Sequence, residues 1–344
     1  MAISGERMDE TVRIILGGDV MLGRIVKERI RRLGPAYPLG QIASLMRGAD
    51  LTIVNLECAV TSSDALWPGA PKAFYFGAPP AAVEALVDAG VDLVSLANNH
   101  VLDHGVEGLR ETVRLLRGRG IGFAGAGENA EESRALAVIE RKGIRFGMVA
   151  YCDHQEDFAA DTDRPGIAYL DLRDEAAVIE RLRLDLDRMK TAGVEWPIVS
   201  LHWGPNMVDR PSERFVRLAH AAVDAGCGML FGHSAHVFHG IEIYKGRPIF
   251  YSAGDLVDDY AVDPDFKNDH QLLFDLELTR SALRRIELHP VFIEDCRTVP
   301  ATGAAREDIV RRVTALCTEM GTVVRRDVER HQQAAGDRVW IDAP

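Results

Sequence analysis

The chain lacks the features that mark several protein classes. Its five cysteines, Cys58, Cys152, Cys227, Cys296 and Cys317, are scattered, and none forms a C-x-x-C pair. An odd, dispersed set excludes a disulfide framework and a structural zinc knuckle, and it points to a reducing compartment. No run of about 18 uncharged apolar residues occurs, so no membrane span or membrane partner is expected. A basic excess is missing too: 40 Lys and Arg stand against 52 Asp and Glu, a formal net charge of −12. Such a surface repels phosphate backbones, so nucleic acid is not an expected partner. Charges interrupt residues 1–20 before any apolar signal core forms, which leaves the cytoplasm as the expected location. Internal repeats and low-complexity stretches are absent, and nothing in the sequence indicates an oligomeric state.

What is present is an ordinary globular balance, 47% hydrophobic and 27% charged over 344 residues. That suffices for one large core with or without an appendage. Short apolar runs alternate with helical patterns. Residues 12–18, 51–56, 92–97, 121–124, 197–202 and 228–231 read as buried strands. Residues 20–33 read as a helix through Val20, Ile25, Ile30 and Leu33. Further helices are expected over 80–89, 106–118, 212–225 and 173–192, the last with Val178, Leu182, Leu186 and Met189 on one face. Hairpins are expected at 135–151, 237–255 and 271–292, the first two turning at Lys142-Gly143 and Lys245-Gly246. A Pro/Gly-rich loop at 67–80 holds Trp67, Phe74, Tyr75 and Phe76 and is a candidate pocket border. The order of elements predicts an α/β protein with two central mixed sheets covered by helices. Residues 1–300 form the expected catalytic domain, and 301–344 a helical appendage packed on it.

Polar residues recur where these strands end, the rim at which open α/β sheets build their sites. Asp19 follows Gly17-Gly18 and is either an oxygen ligand or the cap of the next helix. Asn55 and Glu57 share one side of an extended segment, in a site or in a solvated turn. Asn98, Asn99, His100, Asp103 and His104 crowd seven residues after a buried strand. Such crowding is costly unless used. His100 and Asp103 are spaced to pair, which orients the ring, although Asp103 also suits a helix cap. His202 ends an apolar strand, as a ligand or a core histidine. His233 and His236 bracket two small residues and can turn both rings to one point, with His239 a further candidate. Asp255 after Gly254 is a ligand, a partner of a histidine, or a turn residue. Together these make a mixed oxygen and nitrogen ligand set.

The segments GGDVMLGR, NLECAVT, SLANNHVLDHG, SLHWGPN and GHSAHVFHGIEIYKGRPIFYSAGD, in that order, resemble the CapA family of poly-γ-glutamate capsule-synthesis proteins. That family belongs to the calcineurin-like metallophosphoesterase superfamily. The resemblance spans roughly residues 12–295. It implies a four-layer α/β/β/α sandwich with metal at the rim, held by Asp19, Glu57, Asn99, His202, His233 and His236. His100 matches the acid/base histidine. Met21 stands where the superfamily carries a metal histidine, Glu57 where it carries a bridging aspartate, and the last two histidines are one residue further apart. The first metal position is therefore expected to be a ligand short, and the metal content one or two divalent ions, with Ca²⁺, Mg²⁺, Mn²⁺ and Zn²⁺ all open.

Two activities follow from this set. The first is epimerisation of a peptide residue, with His100–Asp103 and His236 with Asp19 or Asp255 as proton-moving pairs on opposite faces of one Cα. It is placed first because of the missing ligand, and because the family includes soluble lasso-peptide epimerases. The second is metal-dependent hydrolysis of a phosphoester or of a polyglutamate or other amide bond. A vestigial scaffold is disfavoured by the intact ligand set. The expected substrate is a peptide or polyglutamate-type chain, contacted by Asn98, Trp67, Tyr75, Trp203 and Asp255.

Overall fold

A computed structural model describes residues 10–327 and 337–343; the expectation for residues 1–9 lies outside them. The centre of the first sheet is the strand Val12–Val20. It pairs in parallel with Leu51–Leu56 on one side and antiparallel with His270–Leu278 on the other. Leu93–Ser95 and Gly122–Ala124 continue the parallel half, and Leu283–Glu294 the antiparallel half. The second sheet has six strands in the order Ile241–Tyr244, Arg247–Phe250, Met229–His233, Trp196–His202, Ile144–Cys152, Ala137–Arg141. All three expected hairpins are present. Both sheets are mixed.

Side-chain alternation along these strands builds the layers. In Trp196–His202, Ile198 joins Met229, Phe231, Phe250 and Phe274 in the core between the sheets. Val199 and Leu201 point the other way, into a second core with Val178, Leu182 and Leu186 of the helix Glu175–Thr191 and Leu218 of Glu213–Asp224. The first sheet is covered in turn by Gly105–Gly118, whose buried stripe of Gly108, Leu109, Thr112 and Leu116 has helical spacing. The result is the expected calcineurin-like sandwich, helices outside and two mixed sheets within. No helix of the described residues is long and apolar enough to cross a membrane.

Two expected elements differ. The helix read from residue 20 begins at Arg24 and buries Val26 and Ile30, while Ile25 and Leu33 are exposed. The strand runs on through Val20 because that residue still has partners on both sides, Leu56 and Val257. The tail is more than a helical appendage. After the helix Gly303–Glu319, Arg325–Asp327 and Arg338–Asp342 extend the first sheet, with Ile341 opposite Ile286. Buried Val339 and Ile341 alternate with exposed Arg338 and Asp342, the period-2 signature of a half-buried strand.

One backbone contact fixes the centre of the rim. The Asp19 N–H donates to the Gly254 carbonyl at 2.9 Å. A Cβ on Gly18 would sit 1.9 Å from that oxygen, so only glycine allows the approach. Gly18→Ala is expected to cost at least about 1–3 kcal/mol, the usual overpacking penalty, read as a lower denaturation midpoint. Gly118→Ala, exposed at a helix end with no atom within 4 Å of the new methyl, should leave the midpoint unchanged or slightly higher.

Candidate metal centre

The strand ends of both sheets deliver polar side chains to one buried place. Register sets Asp19 beside Asn55 and Asp255 in the first sheet, and His202 beside His233 in the second. Asp19, Glu57, His202, His233 and Asp255 are all at most 1% exposed. Their ligand atoms form two groups, each within 4.8 Å internally: Asp19, His202 and His233, and Asp19, Glu57, His236 and Asp255. Asp19 belongs to both. It is a strand residue and not a helix cap, since the following helix starts at Arg24. Met21, which stands in for the expected histidine, is buried and accepts the Gly23 N–H through its sulfur. Asp255 supplies a carboxylate in the second group.

The electrostatics of this cluster fit a cation. Burial pushes the Asp19 carboxyl up to about 6 and also raises Glu57 and Asp255 well above the ordinary carboxylate range, with repulsion from Asp19 adding to the effect on both. Glu57 Oε2 and Asp255 Oδ2 are buried and find no hydrogen-bond donor among the described residues, an uncompensated state that proteins rarely keep. His202 Nδ1 faces His233 Nδ1 at 2.8 Å, and burial drives the pKa of His233 down to about 3 and lowers that of His202. Neutral imidazoles and carboxylates without partners are what a divalent ion requires. Asn99 Oδ1 lies 2.9 Å from His202 Nε2, at the edge of the same cluster.

Beside the ligand groups stands the pair His100–Asp103, with Nδ1 2.6 Å from Oδ2. Asp103 does not cap the next helix; it is fully buried and also accepts the Phe76 N–H at 2.7 Å. Its other oxygen pairs with Lys72, which also donates to the Asn99 carbonyl. Lys72 carries no usable sequence signal, being a single lysine within an otherwise weakly patterned loop. Burial, the largest effect on the ring, lowers the His100 pKa to about 4. His236 Nδ1 is 2.9 Å from Asp255 Oδ1, so a second imidazole–carboxylate pair faces the same space. His154, also not singled out, contacts Ser234 Oγ at 2.9 Å, with its ring 5.3 Å from that of His202.

A cavity of about 520 Å³ opens onto the cluster, lined by Glu57, Asn99, His100, His202 and His236 at its floor. Of the ten non-glycine residues with positive φ among the described residues, three line it: Arg24, Met207 and His236. Backbone strain of this kind concentrates at ligand sites.

The expected substrate contacts lie elsewhere. Trp203 follows His202 by one residue, so alternation turns it to the opposite face, where it stacks on Phe215 and Tyr251. Tyr75 is likewise turned away, its hydroxyl accepting the Lys72 N–H, while its neighbours Phe74 and Phe76 line the cavity. Trp67 lies outside the cavity, donating to Asp157. Asn98 is fully buried and spends its amide on Asn55, Leu56, His100 and Val101, shaping the loop that carries Asn99 and His100. Asp255 sits behind His236 among the ligand atoms and does not line the cavity. His239 turns to the Val208 carbonyl, outside both ligand groups.

Buried carboxylates and imidazoles converge at the strand ends of two stacked mixed sheets, a candidate divalent-metal site on a calcineurin-like fold. Residues 13–260 match the family described as "Bacterial capsule synthesis protein PGA_cap", and the chain belongs to that family, the CapA family. Capsule biosynthesis protein CapA of Bacillus anthracis is 27% identical over 319 residues, covering 92% of this chain and 76% of that protein. A probable polyglutamine synthesis accessory protein of Mycobacterium tuberculosis is 32% identical over 306 residues, covering 77% of this chain and 80% of that one. A structure of a hypothetical protein from Thermus thermophilus aligns with 83% of this chain and 96% of its own, at 17% identity and a TM-score of 0.44.

Shared use of Asp19 makes metal content a direct test. Wild-type protein dialysed against Mn²⁺ or Zn²⁺ is expected to retain two ions per chain by elemental analysis. His202→Ala should retain one, and Asp19→Ala neither. Retention of both ions by Asp19→Ala would refute the shared ligand.

Proposed function

We propose that this chain is a divalent-metal-dependent hydrolase cleaving an amide bond in a peptide or polyglutamate-type substrate. The observation that carries this reading is the pair of ligand groups sharing Asp19, a constellation suited to two ions rather than one. The polyglutamate connection comes from the relatives named above. Divalent ions held by Asp19, Glu57, His202, His233, His236 and Asp255 would supply Lewis-acid activation of water and of the scissile carbonyl. The protein's own residues do the rest. Asp103 fixes His100 through Nδ1, which leaves Nε2 as the ring atom to move a proton between water and the departing nitrogen. Lys72 neutralises the second Asp103 oxygen and ties the loop 67–76 to the Asn99 carbonyl. Phe76 stacks on the His100 ring at 3.7 Å between centroids and holds its plane.

One observation favours a second reading, epimerisation of a peptide residue. His236–Asp255 is a second imidazole–carboxylate pair, and its ring lines the same cavity, so one ring can remove a Cα proton and the other return it.

Incubation with oligo-γ-glutamate and with a mixed peptide library in H₂¹⁸O, and separately in D₂O, separates the two. Cleavage that places ¹⁸O in the new carboxylate and stops with chelator is expected. Deuterium gain at Cα without cleavage would overturn hydrolysis in favour of epimerisation. His100→Ala should lower turnover by about 10²–10⁴-fold, the usual weight of a general acid–base group, with an unchanged circular dichroism spectrum. An undiminished rate would remove His100 from either mechanism.

A further inference from the structure

The walls of the cavity differ in kind from its floor. Phe74 and Val262 line the mouth and are 56% and 53% exposed. Phe74 stacks on Phe76 at 6.5 Å, Phe76 on His100 at 3.7 Å, and Tyr260 meets both Phe76 and His236, at 5.9 and 4.9 Å. An apolar wall therefore runs without a break from solvent to the rings of His100 and His236. Large exposed aromatic and aliphatic side chains around a concave site are a recognition feature, because exposing them without use forgoes burial.

Charge is sparse by comparison. Among the described residues lining the cavity, Arg24 is the only lysine or arginine, and Asp263 stands at the same rim. The Arg24 guanidinium lies over Phe74, 4.9 Å from its centroid. Its ion pair with Asp259 runs through Nε at 3.4 Å, and the guanidinium makes no hydrogen bond among the described residues. Arg24 also has φ +47°, an uncommon conformation that aims the side chain from the first residue of its helix across the mouth. One side-chain cation at the mouth, apart from any ion held at the floor, stands against an apolar wall and matches one anionic group beside one bulky apolar group. A long polyanion would bring a charge per residue past Asp263, with a single arginine at the mouth to receive it.

We infer that the substrate of this cavity is a peptide presenting one carboxylate to Arg24 and an adjacent aromatic or large aliphatic side chain to Phe74, Phe76 and Val262. This narrows the substrate class within the hydrolase reading and rests on that reading only for what happens after binding.

Equilibrium binding tests it without turnover. Wild-type protein loaded with Mn²⁺ is titrated calorimetrically with N-acetyl-phenylalanine, its primary amide, N-acetyl-glutamate and γ-linked triglutamate. N-acetyl-phenylalanine should bind about tenfold more tightly than its amide or the glutamate derivative, as one charge-assisted contact and one buried ring imply. Phe74→Ala should erase the preference for phenylalanine over glutamate, with Phe74→Tyr keeping it. Arg24→Gln should erase the preference for acid over amide. Triglutamate as the tightest ligand, preferences unmoved by these variants, or no binding by any probe at millimolar concentration would each overturn the inference. Absence of cleavage in the isotope experiment, with these preferences intact, would instead count against hydrolysis alone.

Discussion

Three carboxylates, Asp19, Glu57 and Asp255, are held together out of contact with water, and the rest of the site is organised around that electrostatic strain. Burying one unpaired carboxylate already costs several kcal/mol; three that face each other multiply the penalty, as their raised pKa values record. Hydrogen bonds relieve only part of it: Asn55 donates to Asp19 Oδ1 at 2.8 Å and the Ser234 N–H to Oδ2 at 3.2 Å. Oxygens of Glu57 and Asp255 are left over. A divalent cation would convert this liability into a ligand set, which neutral His202 and His233 would complete from the opposite sheet.

The fold keeps these groups together by backbone means. Parallel pairing places Asp19 level with Asn55 and Asp255, and the close passage of Gly18 past Gly254 leaves no slack in that alignment. The loop after Leu93–Ser95 is shaped internally by Asn98, so Asn99 and His100 arrive with little freedom. On the other sheet, the register that puts His202 opposite His233 follows from five consecutive residue pairs along two buried strands.

Much of this was legible in the sequence, and for a clear reason. Charged or amide residues ending apolar runs are costly unless used, so Asp19, Glu57, Asn99, His100, His202, His233 and His236 stood out, as did the hairpins with their Lys-Gly turns. Errors arose where a face or a partner had to be known. Trp203 and Tyr75 are aromatic and near the rim in sequence, yet alternation sends each away from it while Phe74 and Phe76 face in. Applied strictly from His202, that same alternation would have excluded Trp203. Asn98 reads like Asn99 until its four hydrogen bonds are known. Lys72 acts through a residue distant in sequence, Asp103, and no local pattern announces such a pair. In the tail, the short strand Arg338–Asp342 is too brief for periodicity to outweigh the helix before it.

The two ligand groups draw on both sheets, with Asp19, Glu57 and Asp255 on one and His202, His233 and His236 on the other. An ion bound there would be a further cross-link between two layers already joined by apolar packing and by hydrogen bonds such as Ser234 N–H to Asp19 Oδ2, and it would span a long stretch of sequence, from Asp19 to His202. Closing such a loop carries an entropic cost that grows only slowly with its length, so the linkage bears on the whole sandwich as much as on the rim. Loss of the ion would loosen the seam between the layers, along which the cavity opens, and the shape of the substrate pocket would then depend on metal supply.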